Sequence, residues 1–134
     1  MIECLVNGEI STFVHSANRG LNYGDGVFET MPVHNGRPRR WQGHMDRLGA
    51  GCEQLGLSMP PQAILLREVQ TVSAGLPDVV VKIVITRDGK GRGYLPPGDA
   101  DSLRIVSSHI FPSGVLERAR EGVTARVCDL RLAI

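Results

Sequence analysis

The stretch "DVVVKIVITR", residues 78–87, decides the fold of this chain. It is dense in β-branched side chains, which suit a pleated backbone better than a helix. Strand alternation puts Val80, Lys82, Val84 and Thr86 on one face and Val79, Val81, Ile83 and Ile85 on the other. With apolar residues on both faces, it reads as a central strand. Lys82 is then a charge among apolar neighbours. Either its stem snorkels the ammonium to an edge, or it points into a polar cleft where it binds a carboxylate.

Working outward, "DGKGRGYLPPGDA" reads as a long loop and "SLRIVSSHIF" as another strand. Upstream the period changes to helical: Met45, Leu48, Cys52 and Leu55 recur at that spacing and Gly56 follows as a stop. A second helix is expected over 61–74, with Ile64, Leu65, Val69 and Val72 inward. At the start, "IECLVNGEIST" is a hairpin turning at Asn7-Gly8, and "VFETMPVHNGRPRRW" is a second one turning at Asn35-Gly36. Pro32 and Pro38 confine that second hairpin to edges or ends. "GVLERAREG" reads as a helical turn and "GVTARVCDL" as a last strand. The order of strands, helices, strands gives an α+β class: a mainly antiparallel sheet packed with two helices. Residues 1–120 form the domain, and 121–134 the last strand and the start of a linker.

The totals narrow the partners. The 134 residues suffice for one domain with a core. A formal charge of +1 calls for neither nucleic acid nor an anionic membrane. No apolar run approaches a membrane span. Cys4, Cys52 and Cys128 are widely spaced and lack a CxxC pair, which disfavours a disulfide framework or a zinc site and suits a reducing cytoplasm.

Three segments carry candidate chemistry. "NRGLNYGDGVFETM", residues 18–31, sets a glycine-rich turn before Phe28, as a site does when it needs backbone close to a ligand. In "HMDRLGAGCEQLGL", His44 and Arg47 are one turn apart and off the apolar stripe. Arg47 is either a solvated surface residue or, near the helix start, a two-pronged phosphate ligand. "RDGKGRGY" interleaves three glycines with Lys90, Arg92 and Tyr94, and could close over an anion. It is neither a Walker loop nor a dinucleotide fingerprint.

None of these segments is specific alone. In order, "VNGE", "RGLNYGDGVFET", "HMDRL", "LGL" and "KIVITRDGKGRGY" resemble the class IV pyridoxal-phosphate aminotransferase family, the fold-type IV enzymes. That family includes branched-chain and D-amino-acid aminotransferases and aminodeoxychorismate lyases, and "VKIVITRDGKGRGY" fits the lyase branch best. The resemblance implies that Arg47 binds the phosphate of pyridoxal 5'-phosphate. It implies that Lys82 and Arg92 take substrate carboxylates, with Tyr94 beside them, and that Tyr23 and Phe28 line the substrate pocket near a dimer interface. It leaves Glu29 and Thr30 without a role. The implied reaction removes pyruvate from 4-amino-4-deoxychorismate to give 4-aminobenzoate for folate synthesis. An amino-group transfer, or a non-catalytic domain that only binds a ligand or partner, stands as the alternative. The family's Schiff-base lysine lies in a second domain. Here Lys82 and Lys90 are the only lysines and match non-catalytic positions. The chain is therefore expected to be the N-terminal domain of a longer homodimeric enzyme, inactive by itself.

Overall fold

A computed structural model describes residues 1, 3–89, 93–96 and 101–131, the Leu116 side chain excepted. Its centre is a six-stranded sheet in the order β2-β1-β6-β5-β3-β4. The strands are β1 (Cys4–Val6), β2 (Glu9–Ile10), β3 (Gly26–His34), β4 (Arg37–Pro38), β5 (Asp78–Asp88) and β6 (Asp101–Ile110). Every pairing is antiparallel. The helices are α1 (Arg19–Tyr23), α2 (Trp41–Leu55), α3 (Gln62–Val72) and α4 (Val115–Glu121). The α+β class holds: the two long helices lie where expected, α4 falls on the helical turn read in "GVLERAREG", and the short α1 is added.

The strand over 78–87 is central as read. It pairs with β3 on one side and β6 on the other. Its Val79, Val81, Ile83 and Ile85 are fully buried and meet Met45, Leu48 and Cys52 of α2 and Leu65, Val69 and Val72 of α3. Met31 and Val33 of β3, Leu5 of β1 and Val106 of β6 complete this layer. Both long helices thus cover one face of the sheet. Ile64 was expected inward but is 38% exposed, because it falls outside the stripe on which Leu65, Val69 and Val72 sit. In its place the helix buries Glu68, whose carboxylate takes Arg104 of β6 through Nε at 2.7 Å and Nη2 at 2.8 Å.

Both Asn-Gly turns form with positive φ at each residue: 52° and 90° at Asn7 and Gly8, 46° and 72° at Asn35 and Gly36. That is the type I′ geometry that matches strand twist. The second hairpin is stunted, however. β4 pairs only with Val33 and His34, while all nine residues of β3 pair with β5. Pro38 has no N–H to donate, and the chain enters α2 directly afterwards. Beyond β4, the outer edge of β3 carries no strand among the described residues. The expected last strand in "GVTARVCDL" is absent too: residues 122–131 have no regular structure and are exposed. Alternating apolar residues specify a strand only when a sheet edge receives them, and here none does.

Candidate functional site

The segment 18–31 is not a plain glycine turn. It forms α1, then β3. Asn18 caps the helix, its side-chain oxygen accepting from Leu21 N–H at 3.2 Å, and its amide donates to Thr86 Oγ1 of β5 at 3.0 Å. Gly20 is required by that contact, since a Cβ there would lie 2.3 Å from Thr86 Cγ2. Gly24 closes the helix in the left-handed region at φ 66°.

Asp25 then receives two buried arginines. Arg19 Nε donates to Asp25 Oδ2 at 2.7 Å and Arg87 Nε to the same oxygen at 3.1 Å. Burial alone would raise the Asp25 carboxyl. The hydrogen bonds from Arg19 and then Arg87, with their charges, hold it below the usual carboxylate range. The remaining guanidinium N–H groups go to backbone carbonyls. Arg19 reaches Gly93 O at 3.0 Å and Tyr94 O at 3.1 Å. Arg87 reaches Gly56 O at 3.3 Å, and also Leu55 O, at the C-terminus of α2 where the helix dipole favours a cation.

These bonds bring Tyr23 and Tyr94 together. Tyr23 lies under the Arg19 guanidinium at 4.7 Å, and its hydroxyl accepts from Gly93 N–H at 3.0 Å. The two tyrosine rings meet edge to face with centroids 5.7 Å apart. Arg92 lies outside the described residues.

Lys82 and Phe28 form a second pair. Both sit on the sheet face away from α2 and α3, where Lys82 is half-buried and Phe28 is 62% exposed. The ammonium stands 4.6 Å from the Phe28 ring centroid. Among the described residues it has no hydrogen bond and no carboxylate partner. This placement is compatible with both readings open for Lys82, an ammonium snorkelled to an edge and a carboxylate ligand in a polar cleft.

Arg47 lies on the opposite face of β3. Glu29, next to Phe28 in sequence and therefore on the other side of the strand, is only 4% exposed. It accepts Arg47 Nε at 2.6 Å and Nη2 at 2.6 Å, and meets His44 Nδ1 at 2.7 Å. An ionised carboxylate only accepts, so Nδ1 of His44 carries the proton toward Glu29. The 3.3 Å approach of Arg47 Nη2 to that nitrogen is then a contact and not a donation. Burial would raise the Glu29 carboxyl, but the Arg47 and His44 hydrogen bonds with their charges lower it. Arg47 is exposed and anchored at once. Its side chain is 67% exposed, yet one edge of the guanidinium is clamped by a buried carboxylate. Nη1 has no hydrogen bond among the described residues. That leaves a pre-oriented donor with positive charge facing solvent, the property a phosphate needs.

The predicted residues thus fall into three groups: Arg47 on the helix side of β3, Lys82 with Phe28 on the other side, and Tyr23 with Tyr94 at the end of β5. The free edge of β3 separates the first two. Sequence reasoning missed Glu29, Asp25 and Arg19 as organisers. Glu29 had a signal: an acid in a strand of alternating apolar residues, on the face that Met31 and Val33 bury, needs a cationic partner.

The sequence and the fold match a known family. Residues 26–133 match the family model described as amino-transferase class IV, and the chain belongs to that family. It is 33% identical to an aminodeoxychorismate lyase of Vibrio harveyi over 129 residues, which cover 96% of this chain and 48% of that protein. It is also similar to the crystal structure of 4-amino-4-deoxychorismate lyase from Pseudomonas aeruginosa. There the identity is 37% and the TM-score 0.79, over 90% of this chain and 44% of that one. A hypothetical aminotransferase from Mycobacterium tuberculosis, in its alpha-ketoglutarate and PMP bound form, shares the fold at 22% identity and a TM-score of 0.74. That match covers 91% of this chain and 44% of the other. The chain spans about half the length of the relatives it matches.

Proposed function

We propose that these residues form the ligand-gripping N-terminal part of a pyridoxal-phosphate enzyme, an aminodeoxychorismate lyase, which removes pyruvate from 4-amino-4-deoxychorismate to leave 4-aminobenzoate. The observation that carries the reading is Lys82: a half-buried cation beside an exposed ring, with no carboxylate partner among the described residues. A cation in that position suits a ligand that brings its own negative charge. The choice of lyase over aminotransferase rests on the likeness to two lyases along nearly the whole chain.

The residues present fit the cofactor at its phosphate. Arg47 would hold that group, with Glu29 and His44 fixing the guanidinium before the anion arrives. Pyridoxal phosphate, when bound, supplies an electron sink beside the substrate's amino group. Lys82 would bind a substrate carboxylate and, with Phe28, orient the ring of the substrate. Tyr23 and Tyr94, tied to the sheet by Arg19, would wall the pocket and exclude water, and Arg92 would supply a second cation. No lysine in this chain is assigned to bond the cofactor. We place the working enzyme in the cytoplasm, and the exposed apolar side chains, such as Phe13 at 84% and Leu21 at 69%, support its being a homodimer.

The test is to supply the full-length protein with pyridoxal phosphate and 4-amino-4-deoxychorismate and follow pyruvate through its reduction to lactate. Amino-group transfer from D-alanine or branched-chain amino acids to 2-oxoglutarate is measured in parallel. Pyruvate release without transfer supports the lyase. Efficient transfer with no pyruvate release from the chorismate substrate overturns it.

A further inference from the structure

The register of β5 against β6 puts more than Lys82 on the face away from the long helices. Lys82 stands directly opposite Ser107, and Val80 opposite His109. Directly paired residues of an antiparallel ladder share a face, so Lys82, Ser107 and His109 project to the same side. Ser107 Oγ and His109 Nε2 lie 2.9 Å apart, which fixes the imidazole ring. His109 is half-buried. No role has been found for either residue in the core, in a cap or in the Asp25 and Glu29 networks.

The charges around His109 are one-sided. Burial first, then the Met1 amino group, then Lys82, all push its imidazole below the usual histidine range. Cys4 of β1, opposite Ser107, adds no positive charge. The nearest acid along β5 on this face, Asp78, is turned to His34 Nδ1 at 2.7 Å. An imidazole held low by burial first and neighbouring cations second gains a proton more readily when an anion arrives beside it.

We propose that His109, oriented by Ser107, is a specificity-determining residue that binds the second acidic group of a dicarboxylate whose first is held by Lys82. This deepens the lyase reading and rests on it for the identity of the natural substrate, but the chemistry it claims is general: two carboxylates on a small ring. A monocarboxylate at Lys82 has no second acidic group to reach the imidazole. A dicarboxylate spans Lys82 and the imidazole, and gains a charge-assisted hydrogen bond once His109 is protonated.

The experiment uses two probes on the full-length protein, isophthalate as the dicarboxylate and benzoate as the monocarboxylate. Binding is read by calorimetry, and the imidazole proton of His109 by nuclear magnetic resonance. In the unmodified protein, isophthalate should bind at least about tenfold more tightly than benzoate, as expected of one added charge-assisted bond. It should also move the His109 titration upward. The preference should grow as pH falls through the lowered range of His109. His109→Phe should abolish the preference and its pH dependence while leaving benzoate binding unchanged. Lys82→Met should weaken both probes. Ser107→Ala should halve the preference or more without touching benzoate. If His109→Phe proves unstable, His109→Gln carries the same test, since it retains a donor but cannot titrate: some preference stays and its pH dependence goes. A preference and pH profile unchanged in both His109 variants overturns the inference. Absence of any preference for isophthalate in the unmodified protein overturns it as well. Failure to release pyruvate from 4-amino-4-deoxychorismate would instead strike only the lyase reading, because the binding arm does not depend on turnover.

Discussion

Two cationic regions flank β5, and they are built on opposite terms. At the end of the strand, Arg19 and Arg87 are buried and share Asp25, with carbonyls of Gly93, Tyr94 and Gly56 absorbing the rest of their donors. At the middle of the strand, Lys82 and His109 gather on one face without a facing carboxylate among the described residues. The first arrangement is internally satisfied and needs no ligand. The second sets Lys82 and an imidazole whose protonation it discourages on one face, the arrangement that the proposed anion would relieve. Burial alone does not separate a structural cation from a ligand-binding one. The presence or absence of a matched acceptor does.

That contrast can be broken most forcefully at Asp25. Asp25→Ala leaves two buried guanidinium groups that cannot shed their protons. The expected loss of stability is about 3–5 kcal/mol, the usual cost of removing one partner of a buried ion pair. Urea unfolding of the variant beside the unmodified protein measures it. A loss below about 1 kcal/mol would mean that the carbonyl contacts alone satisfy Arg19 and Arg87.

A smaller effect is expected where α1 meets β5. Gly20→Ala drives a methyl group against the side chain of Thr86 and strains the Asn18 contact that pins the helix. About 1–3 kcal/mol of overpacking strain should appear as a lower Tm. The same change should loosen Tyr23 against Gly93, readable as faster exchange of the Gly93 amide.

Acid sharpens the comparison in another way. Asp25 and Glu29 both titrate below their ordinary ranges in the folded state. Their contributions are fully present above the unfolded carboxylate range and are lost as pH falls through the lower folded values. Stability should therefore decline below about pH 4. Glu29→Gln should flatten part of that decline, and a denaturation series from pH 6 to pH 2 reads it. An unchanged acid limb in the variant would show that Glu29 is not held low by Arg47 and His44.

The least effect on stability is expected at Lys82. Lys82→Met gives up a ring contact worth about 0.5–1 kcal/mol and relieves a half-buried charge, so the two nearly offset. Thermal unfolding should barely move. Anion binding should weaken, which is the reverse of the Asp25 result and the clearest statement of the difference between the two regions.

What the sequence revealed follows the range of the forces involved. The strand over 78–87, the stripe of Met45, Leu48 and Cys52, and the two Asn-Gly turns are written in local periodicity and turn chemistry, and they fold as read. The second hairpin misled because Asn35-Gly36 fixes the turn but not how far the pairing runs, and Pro38 stops it. "GVTARVCDL" misled because alternation describes a strand's faces without naming its neighbour. Among site residues, Arg47 and Lys82 could be picked out by spacing and by the oddity of a charge in an apolar strand. Their surroundings could not. Glu29 lies 18 positions from Arg47, and Asp25 lies 62 from Arg87. Such pairs form through tertiary packing and leave no trace in a local window.

The shared carboxylate of Asp25 also constrains how this chain can change over generations. Positions 19 and 87 are far apart in sequence but share the one carboxylate at 25, and through Arg19 and Arg87 that carboxylate also helps hold the carbonyls of Gly93 and Tyr94 and the end of α2. Substitution at Asp25 strands two cations, whereas substitution at Arg19 or Arg87 leaves the acid one partner and releases the carbonyls that the lost guanidinium held. Asp25 should therefore be the last of the three positions to change, while either arginine can be exchanged once another donor takes over its carbonyls.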